Sequence, residues 1–177
     1  MKNSLTAHKT RNIFWGVVLT SLLQGCILVG EYVSAALPLW TGQEVKVKTI
    51  PIDPRSLLRG QYVRLNYSFT QLPTKDLISE HDLRNGEVVY VSLKKSGDHY
   101  EYLSASLEEP QQGVFLRGRI ANRKYEEDRE YFRIRYGIEA LFLPKKDAIN
   151  KETKLRDGGI ATIMVASNGK ARLVEVN

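Results

Sequence analysis

Cysteine and histidine are nearly absent from this chain. A lone cysteine, Cys26, among 177 residues rules out an intramolecular disulfide, which is compatible with an oxidising compartment without establishing one. The three histidines stand apart: His8 lies near the N-terminus, and His81 and His99 sit in charged, loop-like settings. No His/Cys/carboxylate cluster with metal-ligand spacing results, so no metal and no other cofactor is expected. Gly-rich phosphate loops, nucleotide fingerprints and nucleophile elbows are missing too. The glycines of Arg117-Gly118-Arg119 and Asp157-Gly158-Gly159 lack the neighbours such motifs need and read as strand and turn punctuation. These absences argue against an enzyme. The formal net charge is +6, yet no basic helix or aromatic RNA-binding signature accompanies it, which argues against nucleic-acid binding. Internal repeats and low-complexity linkers are also lacking, so one globular domain of ordinary size is expected.

Lys and Arg are absent from one further place, the stretch Glu31 to Gln43, and this absence is informative because of what precedes it. Ile13 to Gly30 is an apolar run whose only strongly polar member is the uncharged Gln24, about the length a membrane-spanning helix needs, with an extension towards Leu37 open. Lys2, Lys9 and Arg11 lie before the run, so the basic-residue bias puts residues 1–12 in the cytoplasm and the rest of the chain on the periplasmic or extracytoplasmic side of the cell membrane. Trp15, Tyr32 and Trp40 stand where amphipathic aromatics favour the headgroup layer. A cleaved signal peptide is the rival reading. Its sharper form is Leu23-Gln24-Gly25-Cys26, which resembles the lipobox of bacterial lipoproteins and would make Cys26 a lipidated N-terminus. Against it, the residues after Cys26 stay apolar through Val29 and again from Val33 to Trp40, where a lipoprotein continues into a polar tether. Otherwise Cys26 is a small apolar group, buried or facing lipid.

Beyond Gly42 the dominant period is two, in short segments separated by turn residues, which predicts a mainly β, antiparallel, barrel- or sandwich-like domain over residues 41–177. Glu44 to Ile50 alternates strictly. Tyr62 to Tyr67 does so again, with Val63, Leu65 and Tyr67 on one face and Arg64 and Asn66 on the other. Glu87–Lys94 and Tyr100–Leu107 form an expected hairpin around Ser96-Gly97-Asp98, and Val114–Ile120 and Glu130–Tyr136 form another pair. Ile160–Ala166 and Lys170–Val176 flank Ser167-Asn168-Gly169, where Asn-Gly is a strong hairpin signal. Short helices are expected over Thr74–Arg84 and Lys145–Arg156, and the charged run Arg123 to Glu130 reads as a solvated loop or turn. Setting aside the N-terminal flank leaves the outer domain mildly basic, which suits an anionic membrane surface or an acidic partner.

Ile50-Pro51-Ile52-Asp53-Pro54-Arg55 holds two prolines that forbid regular helix and remove two backbone donors, so a rigid extended turn is expected there. Together with Gly60-Gln61-Tyr62-x-x-Leu65-x-Tyr67 and the later Tyr136-Gly137-Ile138-Glu139-Ala140, this stretch resembles the signature of the GDYXXLXY family of bacterial membrane-anchored proteins. The likeness covers nearly the whole chain, with Gln61 standing where the family name has Asp. It implies topology and not chemistry, a small partner of a polytopic membrane protein, and the expected function is a noncatalytic single-pass subunit whose helix and outer β domain associate with that larger protein. Physically, Gly60 redirects the chain between turn and strand, and Asp53 and Arg55 brace the loop around Pro54. The functional reading of the same residues is a polar patch of Asp53, Arg55, Arg59 and Arg64 that binds a partner or an anionic group. Glu139, in an apolar context, is either exposed by alternation or buried with an arginine of the Arg55–Arg64 stretch, a structural pairing that would join the two motifs. The alternatives are an extracytoplasmic ligand-binding domain, or a signal-peptidase-like hydrolase using Ser56, although no lysine is singled out as its base. A small-molecule ligand is not specified by the sequence.

Overall fold

A computed structural model describes residues 2–50, 62–77, 82–126, 129–142 and 158–177. The chain divides into two units, Met1–Leu37 and Pro38–Asn177. The first is all helix: α1 runs from Lys2 to Thr41, with Pro38 in its last turns. Its stretch Ile13–Thr41, 29 residues of mean hydropathy 1.9, is long and apolar enough to cross a membrane. Its large side chains, among them Leu19, Leu22, Leu28 and Trp15, are exposed. The Gly42 amide donates to the Pro38 carbonyl at 3.0 Å, and β1 begins at the next residue.

The second unit is β-rich. Its strands are β1 (Gln43–Ile50), β2 (Tyr62–Arg64), β3 (Asn66–Tyr67), β4 (Gln71–Pro73), β5 (Val88–Ser96), β6 (His99–Ser106), β7 (Val114–Glu126), β8 (Arg129–Arg135), β9 (Ala140–Phe142), β10 (Ile160–Val165) and β11 (Ala171–Val176). The large sheet has the order β11-β10-β1-β6-β5-β7-β8-β4, with β3 also paired to β1, while β2 and β9 form a two-stranded sheet of their own. Alternation does what the sequence demands of it: in β1, Val45 and Val47 are fully buried and Glu44, Lys46 and Lys48 face solvent. Val89 and Val91 of β5, Leu116 of β7 and Ile163 of β10 complete the solvent-free centre of the core.

The three expected hairpins form. β5 and β6 turn through Gly97-Asp98, with Gly97 at φ +63°. In the β10–β11 connection the Gly169 amide donates to the Ala166 carbonyl and the Ala166 amide to the Lys170 carbonyl, both at 2.9 Å, with Gly169 at φ +76°. This is a three-residue loop closed by a glycine in the left-handed region. Its tip docks on the far part of the sheet, where the Arg117 amide of β7 donates to the Gly169 carbonyl at 2.7 Å.

Several expectations are corrected. The sheet is mixed, because β1 and β6 run parallel, and its path among the described residues is open, ending on β11 and β4, so it is not a closed barrel. The single strand expected over Tyr62–Tyr67 breaks at Leu65: β2 pairs with β9, and β3 pairs with β1. Of the helix expected over Thr74–Arg84, the described residues show one 3-10 turn, Thr74–Asp76. Leu77, at φ −117° and ψ 83°, has left helical space, and its buried side chain joins the core. The charged run expected as a loop instead supplies both arms of a long hairpin, Arg123 facing Phe132 and Tyr125 facing Glu130. Arg123 holds it there by stacking over the Phe132 ring, 5.0 Å from its centroid, and by ion pairs to Asp82 and, at 3.3 Å, Glu130. His99 is not in a loop but opens β6, where its ring lies 3.0 Å from Glu101. The helix expected over Lys145–Arg156 lies outside the described residues, as does His81.

Candidate functional site

The two motifs singled out in the sequence meet in space. β2 and β9 pair as Tyr62 with Phe142, Val63 with Leu141 and Arg64 with Ala140, and the Leu65 amide donates to the Glu139 carbonyl at 2.8 Å. Leu65 and Tyr67 are both buried, so they share the core-facing side as their alternation requires. The Tyr67 hydroxyl donates to the Ile138 carbonyl at 2.8 Å, and the Tyr136 hydroxyl donates to the Phe69 carbonyl at 2.6 Å. Phe69 stands between the tyrosines, stacked on Tyr67 at 5.2 Å and edge-on to Tyr136 at 5.3 Å. Desolvation, reinforced by the nearby Glu139 charge, pushes both phenols well above the ordinary tyrosine range. They therefore stay neutral donors tying the motifs together.

The pairing expected between Glu139 and an arginine of the Arg55–Arg64 stretch lies outside the described residues. Glu139 is half-buried, and its carboxylate accepts the Tyr136 amide through Oε1 and the Gly137 amide through Oε2, the latter at 2.9 Å. Gly137 lies at φ +86°, so the carboxylate braces a turn that only a residue at ease in that region adopts readily. Asp53, Pro54, Arg55, Ser56, Arg59, Gly60 and Gln61 lie outside the described residues, and of Tyr62 and Arg64 the strand positions are described. Cys26 is exposed on α1.

Around the joined motifs the surface is concave on two sides. One cavity of about 410 Å³ is lined by Leu65, Thr70, Asn122, Arg133, Arg135 and Glu139. Beside it a larger one of about 660 Å³ is bounded by Gly86, Arg117, Arg119, Arg135, Tyr136 and Lys170. Both include Ala121, the extra residue of a β-bulge where the β7–β8 register shifts between Ile120 and Asn122. Sequence reading missed this basic group, having taken Arg117-Gly118-Arg119 for punctuation. The signal that would have found it is arginine at period two in both arms of one hairpin, Arg117 and Arg119 in β7, and Arg133 and Arg135 in β8. Gly118 is required by packing, since a Cβ there would stand 2.4 Å from Ile134 Cγ2 and 2.9 Å from the Tyr136 ring. Among the described residues no three His, Cys, Asp or Glu side chains group as a metal site would need.

A helix of membrane-crossing length followed by a β domain, with two distant motifs locked by tyrosine and main-chain hydrogen bonds, defines a class of small helix-plus-sheet protein. The GDYXXLXY protein family matches residues 24–176, and the chain belongs to that family. Neither the curated proteins nor the solved structures give a match.

Proposed function

We propose that the protein is a noncatalytic, single-pass membrane subunit whose helix and outer β domain associate with a larger polytopic membrane protein. The observation that carries this reading is the helix: Gly16, Gly25 and Gly30 lie within its apolar stretch, and nothing comes within 4 Å of the Cβ position of any of them. Glycine inside a helix costs about 1 kcal/mol relative to alanine in water, and among the described residues no packing returns that cost. In lipid, small residues let other helices approach closely; at about 3.6 residues per turn Gly16 and Gly30 share one side of α1 and Gly25 the other, so neighbouring helices of a polytopic protein supply the return. The tyrosine hydroxyls and the Glu139 carboxylate are engaged with main-chain groups, which supports an architectural role for the family motifs in place of a catalytic one. The N-terminus is assigned to the cytoplasm and the β domain to the periplasmic or extracytoplasmic side, from the basic flank at Lys2, Lys9 and Arg11.

The test is a mild-detergent purification of the tagged full chain, with mass spectrometry of its N-terminus and companions. An uncleaved chain with a stoichiometric polytopic protein is expected. A chain beginning at a lipidated Cys26, or one that purifies alone, would overturn the proposal.

A further inference from the structure

We infer that the concavity between β7, β8 and the β10–β11 turn is a binding site for a phosphomonoester group. Its described lining carries four cationic side chains, Arg117, Arg119, Arg135 and Lys170, and no Asp or Glu. Strand alternation explains how they converge. Leu116, Gly118 and Ile120 of β7, with Ile134 of β8 and Tyr136 just beyond it, face the core, so Arg117, Arg119 and Arg135 share the opposite face. The docking of Gly169 on the Arg117 amide then brings Lys170 to the same place.

The register makes this arrangement costly without an anion. Arg119 and Arg135 are direct cross-strand partners, and like charges so placed destabilise a sheet. Among the described residues neither Arg117 nor Arg135 makes an ion pair, and the Glu139 carboxylate, which lines the neighbouring cavity with Arg135, is engaged by the Tyr136 and Gly137 amides. Arg119 is already oriented, its Nη1 donating to the Gly86 carbonyl at 2.7 Å, which leaves the rest of its planar fork for an incoming oxygen. Such a set suits a group carrying nearly two negative charges and three acceptor oxygens better than one carboxylate. A space of about 660 Å³ is far larger than phosphate alone and falls in the range of pockets for small organic ligands, so the phosphate is the anchored end of a larger molecule.

A phosphomonoester comes either on a soluble molecule or as the headgroup of phosphatidic acid, and the experiment separates the two. The full chain is placed in phosphatidylcholine nanodiscs. Glycerol phosphate is titrated by calorimetry in one arm; in the other, phosphatidic acid replaces part of the lipid and protection of the β7–β8 hairpin is read by hydrogen exchange. Saturable binding or protection in either arm is expected. It should weaken at least about tenfold in Arg119→Gln and in Arg135→Gln, since each removes a charge-assisted contact. A second readout guards against misfolding: without ligand, Arg135→Gln should melt about 1–3 °C higher than the parent, because it relieves the cross-strand repulsion. No binding in both arms, binding indifferent to the two substitutions, or an Arg135→Gln chain that melts lower would overturn the assignment. None of these outcomes depends on whether a polytopic partner exists.

Discussion

Gly118→Ala sets two physical effects against each other, and the structure decides between them. A glycine inside a strand is on general grounds a weakness, so alanine should gain about 0.5–1 kcal/mol from reduced chain entropy. Gly118 is buried in β7, however, and a methyl group there meets Ile134 Cγ2 at 2.4 Å and the Tyr136 ring at 2.9 Å. Neither neighbour yields cheaply. Ile134 is β-branched and stiff at χ1, and Tyr136 is anchored by its hydroxyl to the Phe69 carbonyl and edge-on to the Phe69 ring. Overpacking of this kind costs about 1–3 kcal/mol, so the net expectation is a loss of about 1–2 kcal/mol. For a domain of this size that is a fall in Tm of roughly 3–8 °C. The assay is thermal unfolding of the full chain in mild detergent, followed by near-ultraviolet circular dichroism of the tyrosines so that a persisting helix does not mask the transition. Ile134→Leu moves the branch away from Cβ, so the double variant should lose less than the sum of the single losses. An unchanged or raised Tm for Gly118→Ala would refute the reasoning.

Further outcomes follow from the joined motifs. Tyr67→Phe removes the donor to the Ile138 carbonyl and leaves that buried acceptor unmet, so a loss of about 1–3 kcal/mol is expected in urea unfolding, with an unaltered m-value. Glu139→Ala strips the acceptor from the Tyr136 and Gly137 amides and should speed their hydrogen exchange together, while amides of β5 stay protected; uniform exchange across the domain would count against a local brace. At alkaline pH the sign is fixed by the raised phenols of Tyr67 and Tyr136. Their folded-state values exceed the unfolded value near 10, so their contribution is whole below that pH and is lost as pH rises above it, at about 1.4 kcal/mol per pH unit for each group. Absorbance titration should show these tyrosines ionising only as the domain unfolds. Full ionisation near pH 10 with the fold intact would disprove their burial.

What the sequence displayed and what it concealed divide along contact distance. The β5–β6 and β10–β11 hairpins were legible because Gly97-Asp98 and Asn168-Gly169 set their own turns, and alternation on either side is a local property. The break at Leu65 was not, because β2 and β3 take different partners far apart in the chain, β9 and β1, and no local pattern records that choice. The turn at Thr74 ends at Asp76 for a related reason: capping signals were present, but Leu72 and Leu77 are both drawn into the core and the backbone follows them. The family motifs were visible as words, yet their meaning as a single braced unit needed the 2.8 Å bond from Tyr67 to the Ile138 carbonyl, seventy-one residues away. The basic groove shows the limit most plainly. Arginines at period two in both arms of the β7–β8 hairpin could be counted from the sequence, but whether Arg119 faces Arg135 depends on register, and the register shifts at a bulge around Ala121 that no composition or period announces. Were Ala121 paired regularly instead of bulged, Arg119 would stand opposite Tyr136, so the charge cluster is a property of the bulge as much as of the arginines.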